Sequence, residues 1–258
     1  MIDAKVETLE ITIGGKDYII TQSPGLLQSS REQGTTGAAV WQSAVRVAEW
    51  LADPWCSLFK AGLLDNGSTV LELGSGISGI VASVLAAQVK TVVATDQQHV
   101  LKLLRSNIYA NAAFQSDRKS HSGRKASKVR QPSSSVRVIA LDWEEDDVQK
   151  HLASNDLGQG VDLVIACDCI YNCALIDPLV QTCKDLCKLR SDAVKESNLS
   201  AGGTVFLIAQ QLRQSEVFEQ WLETIMRSFR VWRLPDSMLS AALKEGSGFV
   251  VHVGVVRE

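Results

Sequence analysis

The chain has 258 residues, 45% of them hydrophobic, with a net charge of −3 and a pI near 5.9. That composition supplies a buried core and excludes global disorder. The near-neutral balance excludes a nucleic-acid or membrane signature spread over the whole chain. No run of 18 or more apolar residues is present, and the start MIDAKVETLE lacks the basic and apolar regions of a secretory signal. The expectation is a cytoplasmic protein without membrane contact, whose six cysteines are free thiols.

In chain order, VETLEITIGGKDYIITQS reads as two short β runs around Gly14-Gly15, a hairpin. The polar, glycine-bearing stretch that follows reads as loop. Residues 1–40 are thus expected to form an extension, and 41–258 the main domain. Trp41, Ala44, Val45, Ala48 and Leu51 recur at helical spacing, and Pro54 ends that helix. From Thr69 the pattern alternates: strand TVLEL, a glycine turn, helix GIVASVLAA, strand KTVVATD, helix HVLKLLRSNIYANAA, strand VRVIALDW, strand VDLVIACD, a helix over 175–189, strand GTVFLIAQQ, a helix over 215–228 and a final strand GFVVHVGVV. Strands alternating with helices imply an α/β fold, a largely parallel sheet covered on both faces. Such sheets bind ligands at the carboxyl ends of their strands. One segment breaks the pattern. Residues 115–135 carry six Lys/Arg against one Asp and are rich in serine, which reads as a disordered basic insert, solvated or touching RNA or an acidic surface.

The turn after TVLEL holds G-x-G-x-x-G at Gly74, Gly76 and Gly79, with Asp96 ending the next strand. Glycines there let backbone approach a ligand closely, and an acid at that distance accepts hydrogen bonds from a ribose diol. Both features suit a nicotinamide dinucleotide and S-adenosylmethionine equally. Glu72 separates them: a carboxylate beside the turn does not help a pyrophosphate and suits a cofactor with a cationic amino-acid tail. It either reaches that ammonium through water, orders the glycine loop, or caps local backbone. Asp142 and Trp143 follow the third strand of the alternating part. The acid is placed to accept from an adenine amino group, and the indole either packs in the core or flanks the ring, a stacking contact of about 1–3 kcal/mol. Asp168 and Tyr171, in ACDCIYN, end the fourth strand near the reactive end of such a cofactor. Their bland alternatives are a helix cap and plain packing.

Cys169-x3-Cys173 and Cys183-x3-Cys187 have the spacing of structural zinc pairs, but such pairs sit on loops, whereas Cys167 and Cys169 read as a strand end, on one face by period two. Cys183 and Cys187 fall on an apolar helical stripe and read as core residues, so no metal is expected. The histidines are scattered, and neither a G-x-S-x-G elbow nor a Walker lysine is present.

Glu72–Gly76 (ELGSG), Asp96, Leu141–Trp143 (LDW) and Asp168–Tyr171 (DCIY) together resemble the seven-β-strand, family-16 protein-lysine methyltransferases. Within them the chain looks most like the fungal ribosomal-protein lysine methyltransferase branch, on DCIYNCALIDPLVQTC and QQLRQSEVFEQWL. GTTGAAVWQSAVRVAEWL is similar to the family's G-x-x-x-W-x-x-A helix. The resemblance implies a Rossmann-like sheet of seven strands with the last antiparallel. It implies that Trp41, Gly74, Ser75, Gly76, Asp96, Trp143 and Cys167 line the S-adenosylmethionine site, and that Asp168 and Tyr171 lie where the target lysine of a protein substrate, plausibly ribosomal, enters. Ser78 stands where many members have a third glycine. Two other readings remain: a non-catalytic binding module of the same fold, and a nucleic-acid methyltransferase. The latter is disfavoured because Asp168-Cys169-Ile170-Tyr171 lacks the two prolines of an Asn/Asp-Pro-Pro-Tyr base platform. A dehydrogenase would need a hydride-relay histidine or Tyr-x3-Lys, which is not evident.

Overall fold

Short strands without a polar alternation can be stable only where both faces are covered. Four central strands meet that condition: β3 (Thr69–Leu73), β4 (Thr91–Asp96), β6 (Leu163–Cys167) and β7 (Val205–Gln211) are buried along nearly their whole length. The computed structural model describes residues 1–3, 5–27, 36–120, 136–197 and 202–257. It adds β5 (Val136–Ala140), β8 (Phe229–Arg233) and β9 (Phe249–Val256) to give one seven-stranded sheet of order β5-β4-β3-β6-β7-β9-β8. β5 through β7 pair in parallel, and β9 runs antiparallel to both neighbours. Apart from the single turns α1 (Pro24–Leu27) and α3 (Ser57–Lys60), one face is covered by α2 (Gln42–Ala52), α4 (Ile80–Leu85) and α5 (Leu101–Ser120), and the other by α6 (Val148–Ala153), α7 (Ile176–Ser197) and α8 (Ser215–Ser228). Strand order reverses between β3 and β6, so their carboxyl ends splay apart and open a crevice.

The hairpin forms as expected from β1 (Thr8–Ile13) and β2 (Lys16–Thr21), and Gly14 and Gly15 both adopt positive φ, 55° and 73°. A two-residue turn of that hand matches the twist of its strands. The hairpin stays outside the main sheet. Ile13, Tyr18 and Ile20 join the core beside α2 and α5. The free edge of β2 is closed by side chains. Asn107 donates to the Thr21 carbonyl (2.9 Å) and accepts from its N–H (2.9 Å). Asn111 treats Ile19 the same way (2.8 and 2.9 Å), and Gln115 donates to the Asp17 carbonyl (2.8 Å). Residues four apart on a helix meet residues two apart on a strand, so three amides imitate a neighbouring strand. Asn107 also donates to the Ile77 carbonyl (2.8 Å) in the glycine turn. Asn107→Ala leaves three buried or half-buried backbone groups unpaired. We expect it to lower unfolding stability by about 2–4 kcal/mol in urea titration, and a change within experimental scatter would contradict this arrangement.

Three features depart from the sequence reading. The helix after β4 runs to Ser120, so 115–120 is helical, and Gln115 is held by the hairpin. The remaining basic segment, 121–135, lies outside the described residues. β8 escaped notice because it is a five-residue edge strand that follows α8 with no turn residue between them: Phe229 is buried, but Arg230, Trp232 and Arg233 are exposed. α6 escaped because it is short and follows an acidic run; Asp147 caps it by accepting from Lys150 N–H (3.1 Å). Among the described residues, no helix is long and apolar enough to cross a membrane.

Candidate active site

The crevice between β3 and β6 holds a cavity of about 330 Å³, within the range of small-molecule sites. Its walls come from the glycine turn, the ends of β4, β5 and β6, and the start of α2. Gly74, Gly76 and Gly79 have φ of 62°, 59° and 52°, a region costly for other residues. At Gly74 a Cβ would stand 2.9 Å from the Cys169 sulfur and 3.4 Å from the Trp143 ring, so the indole lies directly over that backbone. At Gly76 a Cβ would meet the Gly37 carbonyl at 3.2 Å. The same carbonyl accepts the Ile77 N–H (2.8 Å), binding the turn to the segment before α2. Ser78 is buried and fits the turn in place of glycine.

Asp96 closes the turn from the side. Its Oδ2 accepts the Gly76 N–H (2.7 Å) and its Oδ1 the Gln97 N–H (2.8 Å). Burial pushes its carboxyl up to about 6, opposed by those two donors. Asp142 accepts from Gln97 Nε2 (3.1 Å) and from the Glu144 N–H (3.0 Å). Gln97 therefore links the two acids that the sequence places at separate strand ends.

Ten of the eleven residues singled out from sequence line this cavity: Trp41, Gly74, Ser75, Gly76, Asp96, Asp142, Trp143, Cys167, Asp168 and Tyr171. Glu72 does not. It is buried behind the turn, and its Oε2 accepts the Ala82 N–H (3.2 Å) in the first turn of α4. Of the three roles read from the sequence, the contact present is the backbone cap: the carboxylate holds an α4 amide and does not reach the cavity. Burial pushes its carboxyl up to about 7 against that hydrogen bond. With a folded-state pKa above the unfolded one, the folded protein holds a proton that the unfolded chain releases. Stability is therefore lost as pH rises from the unfolded value toward 7, by up to about 1.4 kcal/mol per pH unit. We expect Glu72→Gln to flatten the dependence measured by urea unfolding between about pH 6 and 7 and to keep the Asp96 contribution at lower pH. An unchanged slope would contradict it.

Asp168 is the most constrained residue of the site. It lies at the end of β6 with φ of 57°, one of three described non-glycine residues at positive φ. Its N–H donates to the Ala209 carbonyl (2.9 Å). Its Oδ1 accepts the Gln211 N–H (3.0 Å) and pairs with Arg213 Nη2 (3.0 Å), while the buried Oδ2 has no hydrogen-bond partner among the described residues. A left-handed backbone at a cavity wall stores about 1–3 kcal/mol and persists only where neighbours enforce it. Gln210 is such a neighbour: its side-chain amide accepts from the Ile170 N–H (3.1 Å) and donates to the Ile170 carbonyl (2.9 Å), pinning the turn that carries Asp168 and Tyr171.

Four carboxylates, Asp96, Asp142, Glu144 and Asp168, face this cavity, and among the described residues no lysine or arginine lines it. Such a field disfavours a pyrophosphate and favours a cationic ligand. The discriminating negative charge thus sits on the walls, although the sequence reading assigned it to Glu72.

Comparison with known proteins agrees with this chemistry. Residues 21–201 match the family model described as lysine methyltransferase. The chain belongs to the lysine methyltransferase family. Among curated relatives, ribosomal lysine N-methyltransferase 5 of Zygosaccharomyces rouxii is 30% identical over 238 residues, covering 83% of this chain and 72% of that protein. Its Saccharomyces cerevisiae counterpart is 30% identical over 235 residues, covering 70% and 64%. A Schizosaccharomyces pombe protein named diaminohydroxyphosphoribosylamino-pyrimidine deaminase is 33% identical over 231 residues, covering 90% of this chain and 47% of that protein. The chain thus spans about half the length of that relative. It carries neither the H-x-E nor the P-C-x-x-C signature with which zinc deaminases hold their metal, so the deaminase name is not carried over. Among solved structures, SMU.776, crystallised in complex with SAH, aligns at TM-score 0.52 and 14% identity over 96% of this chain and 56% of that one. The methyltransferase domain of bacterial CtHen1-CN aligns at TM-score 0.50 and 10% identity, over 83% and 100%. Both likenesses concern the fold.

Sequence reading missed Gln97, Gln210 and Arg213. Each acts through a partner on another strand, which spacing along one segment does not disclose. The carbonyl of Gly37, the first residue of the G-x-x-x-W stretch, was likewise legible only as part of a motif.

Proposed function

We propose that this chain is a protein-lysine N-methyltransferase that uses S-adenosylmethionine and acts in the cytoplasm on a protein of the large ribosomal subunit. The observation that carries the reading is the acid-lined cavity closed by a glycine turn, where a Cβ at Gly74 would crowd the Cys169 sulfur. When bound, the cofactor would supply a methyl group on a sulfonium, to which the neutral amine bonds in line as the carbon–sulfur bond breaks and the neutral thioether leaves. Asp96 would accept from the ribose hydroxyls and Asp142 from the adenine amino group. Trp143 would cover the base, and Trp41 and Cys167 would wall the remainder. The free Oδ2 of Asp168 would accept a hydrogen bond from the target amine and aim its lone pair at the methyl carbon. Tyr171 would line the lysine's approach and face its cationic head. Deprotonating a lysine at neutral pH costs about 4–5 kcal/mol, and the proton leaves to solvent. Neighbouring positive charge lowers that cost, and alignment of the three reacting atoms supplies much of the remaining acceleration.

The ribosomal target rests on the names of the yeast relatives. Large ribosomal subunits from cells lacking the enzyme, incubated with tritiated S-adenosylmethionine, should be labelled in one protein band. Label confined to a non-ribosomal protein would overturn that target and leave lysine methylation standing.

A further inference from the structure

Arg213 lies outside the cavity wall, yet it is tied to two residues of the site. Its guanidinium pairs with Asp168 Oδ1 at 3.0 Å and stacks on the Trp41 ring, 4.7 Å from the centroid. The Asp168 side chain is 1% exposed and that of Arg213 33%, so the cation sits at the mouth of a buried acid. Gln211 N–H occupies the same oxygen, which leaves Oδ2 as the open acceptor.

This arrangement answers a difficulty in the proposed reaction. A lone buried carboxylate beside the target lysine would favour its ammonium form, and the ammonium cannot attack a methyl carbon. An opposite charge within hydrogen-bonding range typically shifts a titration by about 1–3 pH units. We propose that Arg213 is a positioning residue that offsets the charge of Asp168, so that Oδ2 orients the target amine without holding it as an ammonium ion. Stacking on Trp41 keeps the guanidinium at Oδ1 and away from the lysine's path.

The other charged or titratable groups around Asp168 do not replace Arg213. The Cys167 and Cys169 thiols on its own strand end are pushed upward, mainly by burial, and are neutral. Glu72 on β3 and Asp96 on β4 are acids and would only add to ammonium stabilisation. The Met1 amino group senses both Arg213 and Asp168, but burial, the largest influence on it, lowers its affinity for a proton. Tyr171 lines the same cavity. Among these groups, Arg213 is the one paired to the acid.

The inference rests on the proposed lysine methylation, and the test separates the two. Extract from cells lacking the enzyme is incubated with tritiated S-adenosylmethionine and wild-type, Arg213→Gln, Arg213→Lys or Asp168→Ala protein. Initial rates are followed from about pH 6.5 to 9.5. Cofactor affinity, measured by calorimetry, confirms that each variant is folded. Arg213→Gln keeps a hydrogen-bond donor and loses the charge. Its half-maximal rate should move about one pH unit or more to the alkaline side, with a loss of about tenfold near neutrality that recovers at high pH. Arg213→Lys should keep the wild-type profile. If Asp168→Ala is silent and Arg213→Gln follows the wild-type profile, or is depressed equally at every pH, the role of Arg213 is overturned and lysine methylation stands. If wild-type protein labels nothing, the underlying reading falls and this inference with it; if Asp168→Ala labels at the wild-type rate, Asp168 leaves the reaction and the role of Arg213 falls while methyl transfer stands.

Discussion

Asp168→Asn is expected to reduce methyl transfer at least about 100-fold while S-adenosylmethionine binds within a few-fold of wild type. Asparagine tolerates the left-handed backbone required at this position, so the turn from Asp168 to Tyr171 should survive. What changes is the charge and the open acceptor. The amide can present its NH2 group where Oδ2 stood, and Arg213 loses its ion partner. Initial rates with tritiated cofactor, beside calorimetric titration of the same samples, separate chemistry from binding. A variant that turns over at the wild-type rate would remove Asp168 from the reaction. A variant that loses cofactor affinity in parallel would make Asp168 part of the cofactor site instead.

Gly74→Ala should act on the other half of the site. The new methyl group enters at 2.9 Å from the Cys169 sulfur and 3.4 Å from Trp143, on a backbone whose φ of 62° costs an L residue about 1–2 kcal/mol. The turn has to shift. With it move the Ser75 N–H, which donates to the Thr95 carbonyl (2.9 Å), and the Gly76 N–H held by Asp96. Cofactor affinity is expected to fall about 10- to 100-fold, as read by calorimetry. Cys169→Ala combined with Gly74→Ala should recover part of the loss, because the sulfur is the nearest obstacle. Unaltered affinity in the single variant would show that the turn does not form the cofactor's cradle.

These two residues also mark what the sequence discloses. Gly74 was legible because a glycine turn between strand and helix has few other uses, and its acid and aromatic partners recur at strand ends that topology gathers. The same holds for Asp96, Asp142 and Trp143. The largely parallel sheet follows from the alternation of apolar runs with helices, whereas β8 does not, since it continues from α8 without a turn residue to mark it. Glu72 was legible as an acid near the turn but not in its direction. A strand residue points to one face or the other, and only the register with β4 and β6 decides which. Arg213 and Asn107 were not legible. Arg213 meets Asp168 across two strand ends, and Asn107 reads as one polar residue on a helix until β2 lies beside it. In each case the information resides in a pairing between distant segments.

The most direct measurement is the chemical identity of the methylated product. Protein from an extract lacking the enzyme is labelled with tritiated S-adenosylmethionine, hydrolysed to amino acids and separated by chromatography. The radioactivity should travel with Nε-methylated lysine and should vanish with Asp168→Asn. Label in methylarginine or in nucleic acid, or label in lysine that persists undiminished with Asp168→Asn, would contradict the account.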